Sequence, residues 1–329
     1  MDRTSLGQTD ISIPRMGLGC MGMAFAYGDI DIDACKETLE KALEIGVNFW
    51  DTSDFYGFGE NERFLGEMMK GRRDNVVIAT KCGIVVHNQD PRNQSANTRP
   101  EHIKSACEAS LRRLKVDEID LFYLHRLDGE TPLEDSMGAL ADLFNDGKIR
   151  AAGLSEVSAT TIKAAHATFP VAAVQNEYSL MSRAPVIEET IDTCLEIGAS
   201  FVPYSPICRG LLTNAFKSHD AFSGLDYRRI LPRFQEDAMN ANLQLIEKVA
   251  DMAAEKGVSP VQLSLAWVLS RAPNIVPIPG TRKAYRLEEN AAATKIPLTQ
   301  TERDILASLI PLDAIQGERY PEFNNLELR

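Results

Sequence analysis

The 329-residue sequence predicts an α/β fold, a (β/α)8 TIM barrel, on three observations. Short apolar runs rich in Val, Ile and Phe alternate along the chain with amphipathic segments, the pattern of repeated βα units around a parallel sheet. The runs number about eight, the count that closes such a barrel. Ionisable and amide residues follow directly on several runs, where the C-terminal mouth of a barrel would lie.

The elements follow in order. The opening segment RTSLGQTDISIP predicts a small N-terminal hairpin. The expected strands are MGLGC, VNFWD, VVIAT, IDLFYLH, IRAAGLS, VAAVQ, SFVPYS and IVPIPG. Between them, helical spacing puts Ile103, Cys107, Ser110 and Leu114 on one face, and likewise Leu133, Met137, Leu140 and Phe144. Ser259-Pro260-Val261-Gln262 combines a capping box with proline at the first helical position, and Thr98 followed by Glu101 predicts a second box. LEIGVNFWDTS from Leu43 and LEIGASFVPYS from Leu195 repeat one grammar: a helix end, a glycine stop and a strand. The run from Ile207 to Gln235, after the seventh strand, is too long for an ordinary βα loop and is expected to be a functional cover. The aperiodic tail from Pro311 is expected over the barrel mouth. No composition shift marks a linker, so residues 1–329 are expected to form one domain.

One motif points elsewhere. GLGCMG, Gly17 to Gly22, matches the dinucleotide fingerprint G-x-G-x-x-G. That fingerprint needs a preceding strand, a helix opening on its last glycine and an acidic residue about 20 positions on. Only the strand is in place, because no helical repeat begins until about Ala34. The glycines are therefore read as a loop at a strand end.

Bulk properties narrow the function. With 44% hydrophobic and 25% charged residues the chain can build a sizeable core. A net charge of -12 and the lack of a basic run oppose binding to nucleic acid. No apolar run approaches 18 residues and the N-terminus lacks a signal-peptide pattern, so a soluble, cytoplasmic protein without a membrane partner is expected. Cys20, Cys35, Cys82, Cys107, Cys194 and Cys208 are scattered singly, without metal-ligand spacing, and read as reduced, packed thiols.

The polar residues at the strand ends carry the chemistry. Asp51 ends the second run with Tyr56 in the loop after it; Lys81, His125, Ser155 and Gln175 end later runs. An acid, a phenol, a lysine and an imidazole at one mouth suit proton transfer to a carbonyl oxygen that is receiving a hydride. A neighbouring ammonium would lower the Tyr56 pKa from its ordinary value of about 10, and Lys81 would supply that charge. Asp51 would hold Lys81 charged and oriented, and His125 would hydrogen-bond the substrate carbonyl. No metal is needed.

At these residues the chain resembles the aldo-keto reductase superfamily over nearly its whole length. NFWDTSDFYGFGENERFLGE is similar to the segment carrying the family's Asp and Tyr, IATKCG to its lysine segment and DLFYLHR to its histidine segment. The resemblance implies a barrel that binds an extended nicotinamide cofactor without a Rossmann domain. It implies that the backbone of Cys20 and Met21 lies near the cofactor, with Asp51 among its contacts. Ser155 and Gln175 would bond the carboxamide, Tyr204 would stack on the ring, and Ser205, Pro206, Ile207, Arg209 and Gly210 would line the pyrophosphate. IPGTRKAYRLEEN resembles the adenosine-phosphate site, with Gly280 beside it, Arg282 and Arg286 for a 2′-phosphate, and Glu289 and Asn290 for adenine. The arginines favour NADP(H), with NAD(H) the alternative.

Two positions depart from the pattern. Gly280 stands where many members carry lysine, and Glu156 where they carry asparagine. With QNEYSLMSR, these features look like the branch of perakine-reductase-like and pyridoxal-reductase-like oxidoreductases, related to potassium-channel β subunits. The implied activity is NADPH-dependent reduction of an aldehyde or ketone to the alcohol. The alternatives are an NAD-dependent dehydrogenase of pyridoxal or a sugar, and a cofactor-binding regulatory subunit. Substrate-facing loops are expected at Phe25 and Tyr27, over Ile84 to Arg99, and in the tail with Tyr320 and Phe323.

Overall fold

A computed structural model describes residues 1–321 except 89, 91, 92, 223 and 225; Phe323 lies outside the described residues. The N-terminal hairpin forms as expected, β1 (Arg3–Ser5) antiparallel to β2 (Ser12–Pro14). Seven parallel strands follow: β3 (Leu18–Gly19), β4 (Phe49–Asp51), β5 (Val77–Cys82), β8 (Leu121–Leu124), β9 (Ala152–Ser155), β10 (Val171–Gln175) and β11 (Ser200–Phe201), each paired with the next. The pair β6 (Ile84–Val86) and β7 (Gln94–Ala96) forms a separate antiparallel ribbon above the barrel strand β5.

The eighth expected strand, IVPIPG, closes the ring without forming a continuous ladder. Phe201 bridges Ile275 and Gly19 bridges Gly280, both parallel. Val276 N–H donates to the Phe201 carbonyl, and Gly17 N–H donates to that of Pro277. Ile278 N–H also donates to the Pro203 carbonyl; Pro277 and Pro279 have no N–H to give, so the bonds stay isolated.

Helices α1 (Ile32–Glu44), α2 (Glu60–Met69), α3 (Pro100–Leu114), α4 (Leu133–Asn145), α5 (Ala159–Thr168) and α6 (Pro185–Glu196) pack outside the strands they connect. After β11 the long run expected as a cover is a series of short 3-10 turns, followed by α7 (Glu236–Lys256), α8 (Pro260–Leu269), α9 (Ala284–Ala292) and α10 (Gln300–Leu309). Ser259 and Gln262 form the expected capping box at the start of α8. The repeated LEIG segments each end a helix with glycine in the left-handed region, Gly46 at φ +80° and Gly198 at +70°.

Two expectations fail locally. The second capping box does not form, because α3 starts after Arg99 and the Thr98 N–H is taken by the Asp128 carboxylate. Phe144 is 46% exposed, and Leu143 fills the core position of α4 in its place. The helix turns by about 100° per residue, so one position decides which of two adjacent apolar side chains is covered.

Strand parity explains what occupies the barrel axis. Phe49, Val77, Ala79, Leu121, Tyr123, Ala173 and Val202 point inward and pack on Leu6, Ile11 and Ile13 of the hairpin, which plugs the N-terminal end. Trp50, Ile78, Phe122, Leu124 and Val174 point outward into the helix layer. The two sets alternate along each strand, as the pleat requires.

Candidate active site

Continuing that alternation by one step places the polar residues. Phe49 is inward and Trp50 outward, so Asp51 faces the axis. Ala79 inward puts Lys81 inward two residues later, Tyr123 does the same for His125, and Ala173 for Gln175. Each lies at the C-terminal end of its strand, so four side chains from four strands meet at one mouth.

Lys81 Nζ lies 2.5 Å from Asp51 Oδ1 and donates also to the Thr52 carbonyl at 2.7 Å; Lys81 is fully buried. Gln175 Nε2 donates to the other Asp51 oxygen at 2.8 Å. The ammonium lies 5.1 Å from the Tyr56 ring centroid. The Tyr56 and His125 rings are 6.0 Å apart at 83°. His125 Nδ1 is 3.1 Å from Ser53 Oγ. A Ser53 hydroxyl that donates to Nδ1 leaves the ring proton on Nε2.

Burial and charge act against each other here. Burial by itself would lower the Lys81 pKa, but Asp51 and Tyr56 outweigh it and the net direction is upward, which keeps the ammonium. His125 is pushed well below the ordinary histidine value by burial, and further by Arg126 and Lys81, so its imidazole is neutral. Burial raises the Tyr56 phenol pKa, and Lys81 opposes that shift without reversing it. The expected lowering of Tyr56 is therefore corrected: the enclosure that brings the ammonium close also removes the water that would stabilise phenolate.

The mouth opens into a cavity of about 1550 Å³. It runs from Tyr56 and His125, past Ser155, Gln175 and Tyr204, along Ser205, Pro206, Ile207, Arg209 and Gly210, to Gly280, Arg282, Arg286, Glu289 and Asn290. Met21 and Asp51 line it, whereas Cys20 does not. Cys20 is fully buried; its N–H donates to the Asp51 carbonyl and its carbonyl accepts from Asn61. The glycines of GLGCMG serve packing. A Cβ on Gly17 would come within 2.6 Å of the Phe49 ring, and one on Gly19 within 2.8 Å of the Ile278 carbonyl oxygen. Barrel closure requires glycine at both positions.

Arg282 is placed differently from expectation. Its guanidinium donates to the carbonyls of Tyr27 at 2.7 Å and Asp29 at 2.6 Å, and so pins the loop after β3 across the cavity. Tyr227 N–H reaches the Ala26 carbonyl from the opposite side at 2.7 Å. The left-handed run Cys208, Arg209 and Gly210 sharply turns the chain beside this bridge.

The structure also adds residues that strand-end reasoning passed over. Tyr320 from the tail hydrogen-bonds Tyr204 at 2.9 Å and accepts from Arg209 at 2.8 Å. Glu156, with φ +52°, accepts from the Glu177 N–H and pairs with Arg319 at 3.2 Å. Arg126 lines the cavity beside His125. Its position in LHR, next to a candidate site histidine, was the one available signal in the sequence.

Comparison with known proteins gives the family and the fold. The model of the aldo/keto reductase family matches residues 15–311. An aldo-keto reductase of Schizosaccharomyces pombe, whose name carries NADP(+), is 43% identical over 316 residues, covering 94% of this chain and 92% of its own. A glycerol dehydrogenase from Gluconobacter oxydans superposes with a TM-score of 0.84 at 29% identity, covering 94% of both chains. The holo form of an aldo-keto reductase from Bacillus halodurans gives 0.78 at 26% identity, covering 95% of this chain and 97% of its own.

Proposed function

The chain belongs to the aldo/keto reductase family, and on that premise we propose that it reduces an aldehyde or ketone to the alcohol with NADPH, as one barrel domain. The observation that carries this reading is the convergence of Tyr56, the buried Lys81–Asp51 pair and a neutral His125 at one end of a long cavity. Its volume exceeds the roughly 300–1,000 Å³ of an ordinary small-ligand pocket, which suits a dinucleotide together with a substrate.

The donor set fits that cofactor. Ser155 Oγ accepts from Arg126 and keeps its hydroxyl proton for a carboxamide oxygen. Gln175 spends its N–H on Asp51 and keeps its carbonyl for a carboxamide N–H. Arg209 serves the pyrophosphate. Arg286 and Lys283, which make no ion pair among the described residues, serve a 2′-phosphate. The S. pombe relative's NADP(+) supports the same choice. When bound, the nicotinamide supplies a hydride.

The chain's own residues supply the rest. Tyr56 holds the proton destined for the carbonyl oxygen. Lys81, kept charged by Asp51, stabilises the phenolate left behind. His125 Nε2–H hydrogen-bonds the carbonyl and orients it. Gln175 fixes the far oxygen of Asp51, so the lysine sits in one position.

A second reading, an NAD-dependent dehydrogenase, is favoured by the engagement of Arg282 on loop carbonyls and by glycine at position 280. Fluorescence titration with NADPH and NADH, followed by turnover of aromatic aldehydes and pyridoxal, separates the readings. Tighter NADPH binding with aldehyde-dependent oxidation supports the reductase. NADH preference favours the dehydrogenase, and tight cofactor binding without turnover of any carbonyl favours a regulatory subunit.

A further inference from the structure

Most cations around the cavity have acceptors of their own. Lys81 pairs with Asp51, Arg228 with Asp226 and Arg319 with Glu156. Arg209 donates to the Tyr320 hydroxyl, and Arg282 to backbone carbonyls. Arg286 and Lys283 stand at the adenosine end.

Arg126 is different. It lines the cavity at the reacting end, with Tyr204, Glu156, Tyr320 and Tyr56 as electrostatic neighbours. Nη1 donates to the His125 carbonyl at 2.6 Å and to Ser155 Oγ at 3.2 Å. Nε is buried without a partner, and Nη2 makes no hydrogen bond among the described residues. The neighbouring acid is committed elsewhere: Glu156 gives one oxygen to the Glu177 N–H and the other to Arg319. A half-buried guanidinium with a buried, unpartnered Nε and no carboxylate hydrogen-bonded to it is costly unless a ligand completes it. Part of the lining of the same cavity is aromatic. Phe25 meets Phe55 edge-on at 5.8 Å and lies 5.7 Å from Tyr56, which forms an apolar slot beside the candidate proton donor.

We propose that Arg126 is a specificity-determining residue that takes the carboxylate of an aromatic carbonyl substrate, while Phe25 and Phe55 hold the ring. This rests on the reductase reading and names its substrate class: aryl aldehydes or ketones that also carry a carboxylate. In that reaction the carbonyl carbon accepts a hydride and its oxygen a proton from Tyr56. The C=O becomes CH–OH as the nicotinamide is oxidised, and the carboxylate leaves unchanged. Arg126 acts through charge-assisted hydrogen bonds to that carboxylate, a task for which guanidinium is better shaped than ammonium.

The test compares kcat/KM for 3- and 4-carboxybenzaldehyde with that for their methyl esters, with NADPH, in wild type, Arg126→Met and Arg126→Lys. Wild type should favour at least one acid by about tenfold or more, chiefly through KM, and the preference should shrink with added salt. Arg126→Met should bring the acid-to-ester ratio near one, and Arg126→Lys should restore part of it. An acid-to-ester ratio that is the same in wild type and Arg126→Met overturns the proposal and leaves the reductase standing. If no aldehyde is reduced, the reductase reading fails. Calorimetric titration of the protein with benzoate then decides the anion site: binding lost in Arg126→Met supports it, and no binding in wild type overturns it.

Discussion

Lys81 and Asp51 meet at 2.5 Å on adjacent strands with no solvent between them, and the cross-strand register opposes Asp51 to Ala79, two residues before Lys81. The pair is thus held by the barrel itself. Removing either partner leaves a buried charge alone and withdraws the ammonium from Tyr56. Lys81→Met is expected to lower kcat on the order of 10²–10⁴-fold. It should also move the alkaline limb of the pH profile upward, since the phenol loses the larger of the charges that lower its pKa, Arg126 being the other. Steady-state kinetics across pH checks both; an unmoved limb contradicts the coupling.

Tyr56→Phe removes a hydroxyl and leaves the ring that packs on Phe25 and His125. Reduction should fall by a similar order, roughly 10²-fold or more, while NADPH affinity stays within about threefold. Fluorescence titration beside turnover measures the split. Full turnover in this variant would sink the assignment.

The two arginines near the adenosine end have separable roles. Arg286→Ala is expected to weaken NADPH binding by about tenfold and to leave NADH binding nearly unchanged, because it deletes a charge without disturbing a loop. Arg282→Ala should weaken both cofactors, because it frees the carbonyls of Tyr27 and Asp29. Equal losses for NADPH and NADH in Arg286→Ala would disprove the 2′-phosphate role.

Asp54 gives the stability a pH dependence. Burial, reinforced by Glu62, raises its pKa from 3.8 to about 7. A carboxyl whose folded pKa is raised contributes stability that is fully present below pH 3.8 and is lost as pH rises through about 7. Asp54→Asn should therefore raise Tm at pH 8 and give little gain at pH 4. Thermal melts at the two pH values decide it; an equal shift at both would refute the linkage.

Glu62 is fully buried on α2, accepting from Thr80 at 2.6 Å and pairing with Arg113 of α3 at 2.5 Å. Arg113→Ala strands that carboxylate and should cost about 3–5 kcal/mol in denaturant unfolding. Adding Glu62→Gln should recover part of the loss. No recovery would mean that Arg113 acts by packing alone.

The sequence carried the barrel because its information is local. Apolar runs, glycine stops such as Gly46 and Gly198, and the Ser259 box are settled within a few residues, and the structure keeps them. The candidate site was equally legible where a residue ends a strand: Asp51, Lys81, His125, Ser155 and Gln175 follow their runs in order, and all but Lys81 line the cavity while Lys81 lies behind them on Asp51. What depended on long-range contact was hidden. Arg282 had to be seen against the carbonyls of Tyr27 and Asp29 some 250 positions away, and Tyr320 against Arg209. The failed Thr98 box depended on Asp128, and the rise of the Tyr56 pKa on how far water is excluded. By itself the sequence determined the strand order, the inward parity and the chemical types at the mouth, because pleat and helical period are properties of neighbouring residues. Only the tertiary structure decided which charged groups are fully satisfied by the protein and which, like Arg126 with its buried Nε, keep a donor without an acceptor, because hydrogen bonding and desolvation are set by groups distant in the chain and adjacent in space.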